Sequence, residues 1–331
     1  MSAEDGPGSS RVPEAVRATM PAPSASPAPR PLAYLDGRIL PEADLGLSWD
    51  HPGLRQGFGL FETIRIATGR AFLAGAHAQR LTDSAPALGL DPWLHPRSLT
   101  KGLDRLVAAM GTAEGALRIY MLPGAPPAGE ETTEGAGAGA EAGAGQRPGE
   151  GTARARYIGV ISPRSGPRPE PGPARAVLSP DRRDARGPLV GIKTISYAVE
   201  RLLLARARAA GADECLRLNL EGRICEGTRS NVFLIEGKTL VTPPMTEGLL
   251  PGVTRWFILK IARDAGLDPR EDTVPVARLQ GAEEAFLTST LRGVVPLVAL
   301  EGRAIGTGAP GPKASRLARI LEKHTIRGYE P

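Results

Sequence analysis

The chain has 331 residues, of which 41 are glycine and 32 proline, with 4% aromatic residues and a formal charge of +5. Glycine plus proline is roughly a fifth of the chain against about 12% in average proteins, which raises low complexity as a first reading. No run of about 18 apolar residues is present to cross a membrane, Met1-Ser2-Ala3-Glu4-Asp5 lacks the basic start and apolar stretch of a secretory signal, and two cysteines, Cys215 and Cys225, are too few for a disulfide framework or a four-ligand zinc site. A reduced, cytoplasmic setting without a bound metal is therefore expected. The arginines are scattered rather than gathered in a stripe, which argues against a nucleic-acid partner but leaves an attraction to small anions.

Residues 1–31 are rich in proline, alanine and serine and read as a disordered tail. An N-terminal α/β domain is expected over 32–161. It opens with two apolar runs, Ala33–Leu35 and Arg38–Leu40, around Asp36-Gly37, which predicts a hairpin. Phe61–Ile66 alternates apolar and polar residues and turns at Thr68-Gly69 into Ala71–Leu73, a second hairpin. Helical spacing follows over Ala76–Leu90, with His77 and Arg80 three apart on one face, and again over Leu99–Met110. Ala116–Leu122 and Arg156–Ile161 read as strands. Between them, residues 123–151, with the run Gly135–Gly145, can bury no face and read as a solvated, mobile insertion. The proline-rich stretch 162–173 reads as an interdomain linker and 174–331 as a second domain. That domain is expected to hold a helix over Tyr197–Ala210 stopped by Gly211, strands over Glu214–Leu220, Val232–Ile235 and Leu240–Thr242, a helix over Thr254–Ala265 closed by Gly266, and strands over Glu284–Thr288 and Val294–Leu300. No internal repeat is evident, and much of the glycine and proline excess falls in the tail, the insertion and the linker.

Several residues in the ordered parts have chemistry to offer, each beside a plainer role. Lys193 follows the apolar run Leu189–Ile192; burial there lowers an amine's pKa and suits a Schiff-base nucleophile, while the plain alternative is a strand-end lysine reaching water. Glu226 stands before a glycine and reads equally as a turn residue. Gly252-Val253-Thr254 opens a predicted helix, whose free N–H groups attract anions, or Thr254 simply caps it. Thr288-Ser289-Thr290 ends a strand and offers hydroxyls. Arg80 can hold a phosphate through two parallel bonds or be an ordinary surface residue.

Taken together and in order, Tyr34–Asp50 (YLDGRILPEADLGLSWD), Phe58–Phe72 (FGLFETIRIATGRAF), His77–Ala85 (HAQRLTDSA), Gly191–Leu216, Gly222–Ile235 (GRICEGTRSNVFLI), Thr242–Arg255 (TPPMTEGLLPGVTR) and Glu284–Leu297 (EAFLTSTLRGVVPL) resemble the class IV aminotransferase family, the fold-type IV enzymes that use pyridoxal 5′-phosphate (PLP). The resemblance implies an α/β, two-domain (α+β) fold of the D-amino-acid aminotransferase-like kind with PLP in the interdomain cleft, a small-molecule amino substrate, and a homodimer. It implies that Lys193 binds PLP covalently and shuttles the substrate proton, and that Glu226 faces the pyridine nitrogen. Arg80, Val253, Thr254 and Thr290 would hold the phosphate, and Tyr197 would stand near the PLP phenolate oxygen.

The resemblance has departures. Relatives commonly carry Gly-Asp-Gly where this chain has Gly57-Phe58-Gly59, Asp50 stands one residue farther from Glu62 than usual, and Ser196 replaces a frequent asparagine. The arginine that D-amino-acid enzymes place just before the glycine at the end of strand 116–122 is Pro123 here, so Arg118 or Arg65 is the candidate for a substrate carboxylate. Phe61-Glu62-Thr63, Lys193–Tyr197 and Leu287–Pro296 look most like aminodeoxychorismate lyases, which release 4-aminobenzoate and pyruvate for folate biosynthesis. The alternative is a branched-chain or other amino-acid aminotransferase using 2-oxoglutarate; more remote is a non-catalytic PLP-fold binding module. The 123–151 insertion follows the strand where relatives bind substrate carboxylate, a place from which it can cover the active site.

Overall fold

A computed structural model describes residues 31–124, 153–166 and 168–329. The tail, apart from Pro31, and the insertion, apart from Pro123 and Gly124, lie outside the described residues. The elements in the first part of the chain are β1 (Leu32–Leu35), β2 (Arg38–Pro41), α1 (Pro52–Arg55), β3 (Leu60–Ala67), β4 (Arg70–Ala71), α2 (Ala74–Ser84), β5 (Leu90–Asp91), α3 (Pro96–Met110), β6 (Gly115–Pro123) and β7 (Ala153–Pro163). Their strands form one sheet in the order β2-β1-β7-β6-β3-β4, with β5 parallel to β7. Asp36 and Gly37 both take positive φ, 48° and 96°, which makes the β1–β2 turn tight enough for a two-residue hairpin.

Strand alternation divides this sheet into two unlike faces. Leu60, Ile64, Ile66, Leu117, Ile119, Met121 and Tyr157 pack under α2 and α3 against Leu81, Leu99, Leu103 and Leu106. Phe61, Thr63 and Arg65 on β3 and Arg118 and Tyr120 on β6 lie on the other face, in the register Phe61 opposite Tyr120 and Thr63 opposite Arg118. The β6–β7 ladder runs from Gly115 opposite Pro163 to Pro123 opposite Ala155, and the Gly124 N–H donates to the Arg154 carbonyl at 2.7 Å. Both strands are thus longer than predicted: Pro123 belongs to β6 rather than to the insertion, and Ser162 and Pro163 belong to β7 rather than to the linker. The predicted helix over 76–90 ends at Ser84, because Pro86 tightens the chain into a 3-10 turn that Gly89 closes at φ 62°.

The remaining elements are β8 (Ala174–Arg183), α4 (Ala198–Ala209), β9 (Glu214–Asn219), β10 (Ile224–Gly227), β11 (Asn231–Glu236), β12 (Thr239–Thr242), α5 (Val253–Ile261), β13 (Asp268–Glu271), α6 (Val276–Gln280), β14 (Glu284–Ser289), β15 (Gly293–Leu300), β16 (Arg303–Ala304) and α7 (Pro312–Arg327). They build a second, mixed sheet in the order β10-β9-β8-β15-β14-β11-β12-β13, with β16 on β15. Val232–Ile235 is apolar without a break because β11 is buried on both sides. One face packs Leu216, Ile224, Val241, Leu287 and Leu297; the other packs Phe233 and Phe286, rings stacked at 5.0 Å, beneath Phe257 and Ile258 of α5 and Leu317 and Leu321 of α7. β8 and α7 were not expected from the sequence. The stretch between β8 and α4 leaves the second sheet and runs antiparallel beside β3 of the first: Phe61 N–H donates to the Lys193 carbonyl and Ile195 N–H to the Gly59 carbonyl, each at 3.0 Å.

Candidate active site

That crossing segment sets Lys193 opposite Phe61. Its Nζ lies 4.3 Å from the centroid of the Phe61 ring and 5.6 Å from that of Tyr197, positions in which an ammonium is drawn to the aromatic faces. Among the described residues no acceptor takes a hydrogen bond from it. Burial pushes the Lys193 pKa below its usual value; Glu62 and Glu226 draw it back up and Arg80 pushes it down. A lysine held this way is a better nucleophile at neutral pH than one in water.

Glu226 occupies the buried strand β10. Its Oε1 accepts from Arg183 Nη1 and its Oε2 from the Leu250 N–H at 2.9 Å. Burial raises its pKa, and Arg183 and the Leu250 N–H act against that rise. Arg183, at the end of β8, belongs to no motif and was missed in the sequence. The turn after Glu226 is fixed by a second carboxylate the sequence reading also missed. Glu214 is fully buried and accepts from the N–H and hydroxyl of Thr228 and, at 2.9 Å, from the Ser230 hydroxyl. The Thr228 carbonyl so held accepts from the Tyr197 hydroxyl at 3.1 Å, which ties Tyr197, near Lys193, to the turn after Glu226.

The start of α5 forms the other end of the site. Gly252 is its N-cap, no side chain caps it, and among the described residues the N–H groups of Val253 and Thr254 have no acceptor. Thr254 therefore does not cap the helix. A Cβ at Gly252 would fall 1.9 Å from Asn231 Oδ1, so only glycine lets the chain turn this close to β11. Asn231 in turn donates to the Leu250 carbonyl at 3.0 Å. Val253, Thr254 and Thr290 line one small cavity of about 10 Å³ together with His77 and Arg65. Arg80 reaches the same loop from α2, with Nη1 donating to the Pro251 carbonyl at 2.7 Å. Its other nitrogens grip Glu62, the buried carboxylate of β3, through Nε and Nη2 at 2.7 Å each, while His77 Nδ1 lies 2.7 Å from the same carboxylate. Burial works against ionising Glu62, yet Arg80 and His77 outweigh it and hold the pKa down to about 2.

The two substrate candidates fare differently. Arg65 is 5% exposed and spends both terminal nitrogens on Glu322 of α7, at 2.6 and 2.7 Å, while its buried Nε has no partner among the described residues. Arg118 is half-buried on the other face of the first sheet, and among the described residues its side chain makes one hydrogen bond, Nη1 donating to the Ser162 hydroxyl at 2.9 Å. Tyr120, not singled out in the sequence, lies two residues on, its ring stacked on Phe61 at 6.2 Å between centroids.

The arrangement fits PLP. A buried lysine is within electrostatic reach of Glu226, a carboxylate suited to a ring nitrogen, and of Arg80, whose guanidinium joins N–H groups and hydroxyls suited to a phosphate. The cradle at Gly252 leaves the helix start open to that phosphate. Comparison with known proteins agrees. The family described as amino-transferase class IV matches residues 59–300. D-alanine aminotransferase of Bacillus licheniformis is 28% identical over 291 residues, 88% of this chain and 96% of its own length. Aminodeoxychorismate lyase of Bacillus subtilis (strain 168) is 27% identical over 300 residues, 89% of this chain and 95% of its own. The crystal structure of a branched-chain aminotransferase from the archaeon Thermoproteus uzoniensis with norvaline has a TM-score of 0.76 at 27% identity, covering 91% of this chain and 96% of that one. Among the described residues no helix is long and apolar enough to cross a membrane. With family match, fold and site in agreement, this chain belongs to the class IV aminotransferases and is a PLP-dependent enzyme.

Proposed function

We propose that the enzyme is an aminodeoxychorismate lyase, converting aminodeoxychorismate to 4-aminobenzoate and pyruvate. The observation that carries this reading is the face beside Lys193. Phe61 and Tyr120 form a stacked aromatic platform there, and Arg118, on the same face, makes one side-chain hydrogen bond among the described residues, a bond it can exchange for a carboxylate. A flat ring bearing a carboxylate suits such a platform. Pro123 stands where D-amino-acid enzymes carry their carboxylate-binding arginine, and Arg65 is committed to Glu322. PLP, when bound, supplies an electron sink for the substrate carbon that loses its proton.

The residues of this chain divide the rest of the work. Lys193 takes the proton from the ring carbon that carries the amino group, and its lowered pKa leaves the amine free to do so. Glu226 holds a proton on the cofactor's ring nitrogen, and Arg183 orients that carboxylate. Arg80, the Val253 and Thr254 N–H groups and Thr290 bind the phosphate. Tyr197, fixed through Thr228, would stand near the cofactor's phenolate oxygen when it is bound. The enolpyruvyl side chain departs as pyruvate while the ring becomes aromatic.

Amino-acid transamination begins with the same proton removal, and the D-alanine and branched-chain enzymes among the relatives support it as the second reading. Incubation with aminodeoxychorismate and, separately, with branched-chain amino acids plus 2-oxoglutarate decides between them. Pyruvate formed without a keto-acid partner is the expected result; glutamate formation with no pyruvate overturns the lyase. A homodimer is part of the proposal, supported by Leu47, Trp49 and Leu54 exposed between β2 and β3 and by Val199 and Leu202 exposed on α4. Its mass by light scattering tests that.

A further inference from the structure

Glu62 does not share a face with Phe61 and Lys193. It points from β3 into the layer beneath α2, where it is 1% exposed and His77 is likewise 1% exposed. A carboxylate in such a place costs several kcal/mol unless its lone pairs are filled. Here Oε1 accepts from Arg80 Nε, and Oε2 accepts from Arg80 Nη2 and lies against His77 Nδ1, all at 2.7 Å. Burial lowers the His77 pKa, so a neutral ring donating through Nδ1 adds a hydrogen bond and no charge. The pairing with Arg80 is bidentate, which fixes the plane of the guanidinium as well as its place. The third contact, Arg80 Nη1 to the Pro251 carbonyl at 2.7 Å, ties the far end of the group to the loop that opens α5. Of the five N–H hydrogens of an arginine, three are thus committed to protein and two remain.

We infer that Glu62 and His77 are positioning residues for the cofactor phosphate. They lock the Arg80 guanidinium at the N-terminus of α5 before the phosphate arrives, so that binding need not order a long, flexible side chain. The inference rests on the reading of Arg80 as a phosphate ligand. Two features separate it from an ordinary internal ion pair. The pair is bonded to the Pro251 carbonyl, two residues before the free N–H of Val253. His77 also lines the same small cavity as Val253, Thr254 and Thr290. A side chain held at one end by a carboxylate and at the other by the phosphate loop has its entropy of ordering already spent by the fold.

The test compares PLP with pyridoxal, which lacks the phosphate, using the full chain stripped of cofactor. Affinities are read from the visible absorbance that forms on Lys193. The wild type prefers PLP, and Arg80→Met is expected to remove most of that preference. Glu62→Gln is expected to cut the PLP-to-pyridoxal affinity ratio at least about tenfold, the ratio cancelling any change at Lys193 that both ligands share, and to add nothing in the Arg80→Met background. His77→Asn is expected to cut the ratio by a smaller factor. A wild-type ratio in Glu62→Gln beside a collapsed ratio in Arg80→Met overturns the inference and leaves the Arg80 reading standing. A wild-type ratio in Arg80→Met removes both. Should Glu62→Gln not fold, seen as lost pyridoxal binding, His77→Asn carries the decision, and an unchanged ratio there overturns the inference.

Discussion

The two ends of this site hold charge in opposite ways. Around Glu62 and Glu226 the charged groups are buried and reciprocally bonded: Glu62 to Arg80 and His77, Glu226 to Arg183 and the Leu250 N–H. Across the other face of the first sheet, among the described residues, the Arg118 side chain makes one hydrogen bond, to the Ser162 hydroxyl, and the Tyr120 ring stacks on Phe61. The difference follows from solvent. A charge taken out of water must be fully paired, and full pairing fixes it in place. A half-exposed arginine gains little from any one partner and can exchange it. On the proposed reading the buried end serves the cofactor, which every reaction of the family needs, and the other face the substrate.

Four experiments press on this contrast, from the strongest expected effect to the weakest. Lys193→Ala is expected to abolish the visible absorbance of bound cofactor and to cut turnover by at least about a thousandfold; absorbance that survives would remove Lys193 from its role. The second is a pH experiment on the buried end. The folded Glu62 pKa of about 2 lies below its ordinary value of 4.5. The stabilisation is thus fully present above about pH 4.5 and is lost as pH falls toward 2, a change on the order of 3 kcal/mol. Urea unfolding at stepped pH is expected to show that loss in the wild type and a flatter slope in Glu62→Gln. Third, Glu226→Gln is expected to lower kcat by about a hundredfold with substrate KM little changed, since a neutral amide cannot keep the ring nitrogen protonated. Last, Arg118→Gln is expected to raise KM for a carboxylated substrate by about tenfold with kcat nearly intact, the signature of one lost charge-assisted hydrogen bond. If it instead lowers kcat as strongly as Glu226→Gln does, the other face is no looser than the buried end and the contrast fails.

Much of this was legible in the sequence where chemistry and local geometry coincide. Asp36-Gly37 announced the first hairpin because few other pairs accept positive φ twice in succession. His77 and Arg80, three apart on a predicted helix, share a face, and both reach Glu62. The rest depended on partners distant in the chain. Arg183 has no motif around it and meets Glu226 only because β9 pairs with β8 on one side and β10 on the other, so that the two side chains meet across it. Tyr120 required the register that sets it opposite Phe61. Ala85–Leu88 continued the apolar spacing of a helix, and only the backbone limits of Pro86 and Gly89 stopped it. α7 follows a glycine- and proline-rich stretch that hides its start, although Ala314, Leu317 and Leu321 keep helical spacing and are buried.

The ladder that carries β6 and β7 as far as Gly124 and Arg154 has a practical corollary. Whatever residues 125–152 do, the two points where they leave and rejoin the sheet are already clamped by a 2.7 Å backbone bond. Doubling the length of a segment between joined ends costs only about 0.6 kcal/mol in closure entropy. This makes the junction at Gly124 and Arg154 an exchange port. A reporter, a binding peptide or a whole domain can be spliced in beyond it with the β6–β7 ladder that carries Arg118 and Tyr120 left paired.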